Sequence, residues 1–278
     1  MRLIWLCADD YGISAGVNLA IRDLVVRGRL NATSVMVLAP ACHRSEALAL
    51  DALNSTARRV AIGLHVTLTA PFRPLSREFG ALAGGAFMPL AATVRHAFLH
   101  RFDRSSLVAE LEAQLNGFRE LFGRAPDYID GHHHVHLLPQ VRDAVLTVTK
   151  QRAPNAWIRQ CGRGLPLIKK ITDYKGFFLD LLSRDFQRRA CAAGLRTNPA
   201  FAGTYEFHDG ADFAQLFPRF LDRLGDGSVV MCHPGFVDAQ LQRLDPLTTL
   251  REREYAFLAG DSLPEVLAAH GVALHPVA

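Results

Sequence analysis

Several short apolar stretches of this chain run directly into an aspartate or a histidine, and segments with helical periodicity separate them. Residues 3–8 end at Asp9-Asp10-Tyr11-Gly12, residues 61–68 carry His65, residues 128–130 lead into Gly131-His132-His133-His134-Val135-His136, and residues 228–232 end at His233-Pro234-Gly235. A short apolar run bounded by turn residues is the pattern of a strand covered on both faces, as in a parallel sheet. After the first run, Ser14 is placed to cap a helix in which Val17, Ile21, Leu24 and Val25 recur at helical spacing until Gly28. Residues 34–38 read as a second strand, Pro40 opens a second helix to about residue 53, and residues 61–68 read as a third strand. Repeated strand-then-helix predicts a parallel sheet or barrel.

Residues 70–90 are rich in Gly and Pro and read as a loop that overhangs a site. Two helical stretches follow. The second, residues 105–122, places Leu107, Leu111, Leu115, Phe118 and Phe122 on one face. A strand at 128–130, a helix opened by Pro139 and a strand at 157–159 come next. Residues 168–210 show no clear period apart from a helix over 177–193. A helix over 212–224, a strand over 228–232 and two terminal helices complete the chain. No repeat or linker interrupts it, and α/β barrels occupy this length as one unit. The expectation is one domain over residues 1–278.

Composition excludes some function classes. The 31 basic and 27 acidic residues give a net charge of +4, with only short basic clusters such as Arg58-Arg59 and Lys169-Lys170. Nucleic-acid binders concentrate such charge on one face, so no nucleic-acid partner is expected. The five cysteines have no C-x-x-C spacing, which argues against a thiolate zinc site or a redox pair. Residues 3–8 are too short for a signal core, and no stretch approaches a membrane span. A cytoplasmic setting is the expectation. Oligomeric state leaves no mark on the sequence.

The chemistry is concentrated where strands end. In parallel α/β folds the carboxyl ends of the strands converge on one rim, where sites are built. Four separate segments would bring Asp or His to that rim. Asp9 and Asp10 repel each other unless a cation or proton is present. Adjacent residues of a strand face opposite ways, but a turn at Tyr11-Gly12 would aim both at one cavity, one to bind metal and one to accept a proton. In an extended segment His132, His134 and His136 would share a face while His133 turns away. Neutral imidazole ligates divalent metals, and Asp130 would orient one ring from behind. His65 alone would read as a core histidine, and Asp-Asp alone as a helix-capping turn. Pro234 forces the chain out of the sheet just after His233, placing that residue at the rim.

The combination of Ala8-Asp9-Asp10-Tyr11-Gly12, Gly63-Leu64-His65, residues 130–136 and Cys232-His233-Pro234 resembles the YdjC-like carbohydrate deacetylases of chitooligosaccharide deacetylase type. The lesser signals at Ser34-Val35-Met36 and Phe122-Gly123-Arg124-Ala125-Pro126 match as well, over nearly the whole chain. Tyr11 stands where Phe is common. The resemblance implies a distorted, TIM-like (β/α) barrel with one divalent metal, Mg2+ or Zn2+, on its rim. Carried over by position, Asp10, His65 and His132 are the metal ligands, Asp9 is the catalytic base and His233 protonates the departing amine. Arg159 would be a substrate or orienting residue.

Amide hydrolysis needs these parts: a Lewis acid to polarise the carbonyl and acidify a water, a base for the water's proton, and an acid for the leaving amine. The implied activity is removal of acetyl from an N-acetylated sugar or oligosaccharide. Rival readings are a phosphoesterase or amidohydrolase-type metallohydrolase and a non-catalytic sugar- or metal-binding relative. Amidohydrolases place His-x-His after the first strand, whereas here that position holds two aspartates. A phosphoesterase would recruit His134 and His136 to a second metal. Residues 70–90 and 160–210 are expected to border the substrate cleft.

Overall fold

Ten strands and ten α-helices occupy the described parts of the chain, which in this computed structural model are residues 1–57, 59–80, 82–163, 174–222 and 224–277. Arg58, Lys169 and Lys170 lie outside the described residues, as does part of the 160–210 stretch. The first strand, β1 (Arg2–Tyr11), is buried from Leu6 onward on both faces. Ser14 accepts a hydrogen bond from the Val17 N–H at the start of α1 (Ala15–Val26), and the predicted stripe of Val17, Ile21, Leu24 and Val25 faces inward. Then follow β2 (Ala32–Val35), α2 (Arg44–Asp51) and β3 (Ala61–Val66), all in the order read from the sequence.

Between β3 and the next sheet strand lie a two-residue hairpin, β4 (Leu82–Ala83) with β5 (Ala86–Phe87), and the helices α3 (Leu90–Phe98) and α4 (Arg104–Phe122). The hairpin interrupts what the sequence showed as a plain loop. Asp103 caps α4 by accepting from the Ser106 N–H, and Gly123 ends it at φ 68°, a left-handed position that suits glycine. The α4 stripe from Leu107 to Phe122 is buried as expected. The chain continues through β6 (Tyr128–Gly131), α5 (Val141–Arg152), β7 (Trp157–Ile158), α6 (Tyr174–Ala192), β8 (Phe201–Ala202), α7 (Phe213–Phe220) and β9 (Ser228–Cys232). Three helices follow rather than two, α8 (Ala239–Leu244), α9 (Thr249–Ala259) and α10 (Ser262–Ala269), and then β10 (Val272–Leu274). β8 and β10 were missed because two or three residues carry no readable period.

The main sheet is parallel throughout, in the order β7-β6-β3-β2-β1-β9-β8, with β10 beside the start of β1. It curls into a half-barrel. Its two ends approach each other where Ile158 bridges Thr197 and the Phe201 N–H donates to the Gly162 carbonyl at 3.0 Å. This is a distorted (β/α) barrel, and its register fixes the site. Ala8 pairs with Cys232 and Thr33, and His65 pairs with Asp130, so Asp9, Asp10, His65, Asp130 and His233 all reach the same rim. A cavity of about 530 Å3 lies near the opposite strand ends, lined by Trp5, Ala61 and Trp157 among others, and contains none of these residues. No helix among the described residues is long and apolar enough to cross a membrane.

One glycine is required by packing. A Cβ on Gly63 of β3 would stand 2.4 Å from the Tyr128 ring, which is itself stacked on Trp157. Gly63→Ala is therefore expected to cost about 1–3 kcal/mol through overpacking, read as a lower urea midpoint with an unchanged slope.

Candidate metal centre

The path of β1 changes at Asp10. The strand pairs Ala8 with Thr33 and then Tyr11 with Val35, so it carries one extra residue there, and Asp10 adopts φ 70°. The bend expected at Tyr11-Gly12 thus begins at Asp10 itself. It directs the two neighbouring carboxylates to different partners in one cluster.

Asp10 Oδ1 lies 2.9 Å from His132 Nδ1 and 3.4 Å from His65 Nε2. All three residues are buried, and one ligand atom from each lies within 4.8 Å of the others. Two atoms that each stand about 2.0–2.2 Å from a shared ion are separated by roughly 3.3–3.6 Å in tetrahedral geometry; the Asp10–His65 contact has that spacing, and the Asp10–His132 contact would open by a few tenths of an ångström to admit an ion. His65 Nδ1 faces Asp130 Oδ1 at 2.6 Å. A proton held at Nδ1 by Asp130 leaves Nε2 with its lone pair toward Asp10, the arrangement of a metal-bound histidine backed by a carboxylate. These residues fit a divalent cation.

Asp9 takes a different environment. Arg159 grips it with two parallel bonds, NH1 to Oδ1 at 2.8 Å and NH2 to Oδ2 at 2.7 Å, while the same NH2 lies 2.9 Å from Asp130 Oδ2. Ser34 Oγ donates to Asp130 Oδ2 at 2.5 Å and approaches Asp9 Oδ1 at 3.3 Å. Cys7, Asp9 and Asp130 also lie within ligand spacing of one another. The Arg159 guanidinium stands among them, 3.8 Å from Cys7 Sγ, so that group already has its cation.

Electrostatics follows from these contacts. Burial pushes the Asp9 pKa up, but Arg159 and then His65 outweigh it and hold the carboxyl below its usual range. Asp10 is held well below: burial opposes this, and His132 and Arg251 overcome it. Asp130 goes down to about 2 despite burial, chiefly through Arg159 and His65. Burial would lower His65, yet Asp130 and Asp9 raise it to about 10, so its Nε2 carries a proton unless a bound cation takes that proton's place.

The other histidines depart from the alternating pattern. Residues 132–137 form a 3-10 turn with His133 and His134 at φ 54° and 56° rather than an extended segment. The ring of His133, expected to face away, lies 3.8 Å from that of His132 and makes a 3.0 Å contact with Thr69 Oγ1. His134 Nδ1 is 3.5 Å from Cys161 Sγ, and His136 Nε2 donates to the Arg159 carbonyl at 2.8 Å. Burial lowers the pKa of His136 to about 4. Of the four, His132 alone joins Asp10 and His65 in the ligand cluster.

His233 stands at the rim one residue beyond β9, half-buried, with its backbone N–H donating to Glu254 Oε2 at 2.5 Å and its ring edge-on to Phe207 at 5.4 Å. Its Nδ1 is buried without a hydrogen-bond partner, and no hydrogen bond among the described residues links its ring to the Asp10 cluster. Ser34, Arg251 and Glu254 were missed by sequence reasoning. Ser34 sat in a predicted strand, but nothing in the local pattern distinguishes Arg251 or Glu254 from a solvated helix face.

Arg159 keeps two buried carboxylates compatible. Arg159→Met leaves Asp9 and Asp130 facing one another without it, and breaking a buried ion pair in this way costs about 3–5 kcal/mol. A fall of that size in urea-unfolding stability is expected, with Arg159→Lys recovering part of it.

The profile of the YdjC-like protein family matches residues 3–269. A chitooligosaccharide deacetylase from Citrobacter koseri is 28% identical over 277 residues, covering 98% of this chain and 97% of that protein. A crystal structure from Enterococcus faecalis, assigned to cellobiose-phosphate cleavage, superposes with a TM-score of 0.75 at 22% identity, covering 99% of this chain and 97% of that one. That likeness is one of fold.

Proposed function

Since the chain belongs to the YdjC-like protein family, we propose that it is a metal-dependent hydrolase that removes an acetyl group from an N-acetylated sugar or oligosaccharide. The observation that carries this reading is the convergence of Asp10, His65 and His132 from three separate strand ends on one spot. The named activity of the Citrobacter koseri relative supports the substrate class. The chain from residue 1 to residue 278 acts as one catalytic unit, and its five unpaired cysteines suit a reducing, cytoplasmic setting.

Asp10, His65 and His132 would hold the cation, with Mg2+ and Zn2+ the first candidates for a site of two imidazoles and one carboxylate. A divalent ion in this cradle supplies positive charge that polarises an amide carbonyl and acidifies a nearby water. Asp9 accepts the water's proton at its carboxylate. Arg159 keeps that carboxylate ionised and in one orientation, and Ser34 approaches the same oxygen. His233, at the rim one residue beyond β9, gives a proton to the departing amine, a role an imidazole can fill. Phe72 packs edge-on against His132, centroids 5.9 Å apart, and so helps hold that ring in place.

The two-metal alternative loses its parts. His134 and His136 turn toward Cys161 and the Arg159 carbonyl, and the second acidic cluster is filled by Arg159. A non-catalytic relative would not need Asp9 and His233 alongside a metal cradle.

Acetate release should be measured over a panel of N-acetylated saccharides. Activity is expected to vanish with chelator and return on adding a divalent cation. Asp9→Asn should retain cation binding while turnover falls by about 10²–10⁴-fold. A fully active Asp9→Asn variant would remove Asp9 from the role of base. Hydrolysis of phosphate esters without acetate release would favour the phosphoesterase alternative.

A further inference from the structure

Helix α9 carries two wholly buried charged side chains one turn apart, Arg251 and Glu254. Arg251 NH2 donates to Asp10 Oδ2 at 2.6 Å and to Asp245 Oδ2 at 2.7 Å, while Nε donates to the Leu247 carbonyl at 2.9 Å. The backbone carbonyl of Arg251 accepts from the Gly235 N–H at 3.1 Å, two residues beyond His233. Glu254 receives the His233 N–H and, at 2.6 Å, the Tyr205 hydroxyl. One helix therefore touches the Asp10 carboxylate from one side and the His233 turn from the other.

We propose that Arg251 is a positioning residue for the cation site: by occupying Asp10 Oδ2 it leaves Oδ1 to face His65 and His132, so that Asp10 serves as a one-oxygen ligand at a spacing from His233 set by α9. This inference rests on the reading of Asp10, His65 and His132 as ligands.

A carboxylate that is free to turn offers a cation one oxygen or two. With Oδ2 held by a guanidinium, rotation would break a charge-assisted bond between two buried side chains. Arg251 is itself anchored by Asp245 and Leu247. A positive group beside a cation site also repels the incoming ion, so two effects oppose each other. Asp245 shares the same guanidinium nitrogen and offsets its charge, which leaves orientation as the larger effect. Loss of Arg251 should therefore weaken cation binding, as loss of partners behind metal ligands generally does.

The test uses metal-stripped full-length protein titrated with Co2+ alone, followed by calorimetry and by visible absorption, which reports the coordination of the ion. Arg251→Met and Arg251→Lys are each expected to bind Co2+ about 10–100-fold more weakly. The visible bands of the Co2+-loaded variants are expected to change shape as Oδ2 becomes available. If Arg251→Met fails to fold, Arg251→Lys decides alone, because it keeps a positive charge but cannot reach Asp10, Asp245 and the Leu247 carbonyl together. Affinity within twofold of the parent together with a superimposable spectrum overturns the proposal. Asp10→Asn serves as the control. If it leaves Co2+ binding intact, the cation reading itself fails; if it abolishes binding while Arg251 variants behave as parent, only the positioning role fails.

Discussion

Three carboxylates, Asp9, Asp10 and Asp130, are packed out of water at a single rim, and the surrounding structure is arranged to make that tolerable. Each buried carboxylate carries a desolvation penalty of several kcal/mol unless a positive partner with good geometry compensates it. Arg159 serves Asp9 and Asp130 together, Arg251 serves Asp10, and His65 lies between Asp130 and Asp10. Removing either guanidinium leaves a charge that the interior cannot solvate. The proposed cation, held by Asp10, His65 and His132, would add positive charge to this balance where three strands end.

The backbone bends to the same purpose. Asp10 sits at φ 70° in a strand with an extra residue, and His133 and His134 occupy the left-handed region within a tight turn. Such conformations persist where surrounding contacts over-determine them, and they gather at functional sites. A regular strand would have thrown Asp9 and Asp10 to opposite faces. A regular extension after β6 would have lined up His132, His134 and His136. The bulge keeps both aspartates in one cluster, and the turn brings His132 to Asp10 while His136 packs as a buried ring against the Arg159 carbonyl and the half-buried His134 lies against Cys161.

The fold itself hosts many chemistries, so function has to be argued from the rim. What distinguishes this rim is the division of labour between two adjacent residues of similar acidity. Asp10 faces two imidazoles, which suits the proposed role of ligand, whereas Asp9 faces a guanidinium and a hydroxyl, the surroundings of the proposed base. Similar side chains acquire different roles from their surroundings, as paired carboxylates do elsewhere.

The β-then-α order, the capped first helix, the apolar stripe of α4 and the placement of Asp9, Asp10, His65, His132 and His233 at strand ends were all legible in the sequence. Local periodicity and turn chemistry are written in consecutive residues, and a parallel sheet sends every strand end to one rim. Short elements such as β8 and β10 were not legible, because two or three residues define no period. Nor was the exact partner of each charge. Arg251 lies 241 residues from Asp10, and only the curl of the sheet and the docking of α9 bring them within 2.6 Å. The same holds for Arg159 as the tether of Asp9 and for the turning away of His134 and His136. Sequence pattern therefore determined which residues could reach the rim, whereas the tertiary structure decided which of them face one another, since pairing between distant segments depends on register and backbone bends that no local pattern encodes.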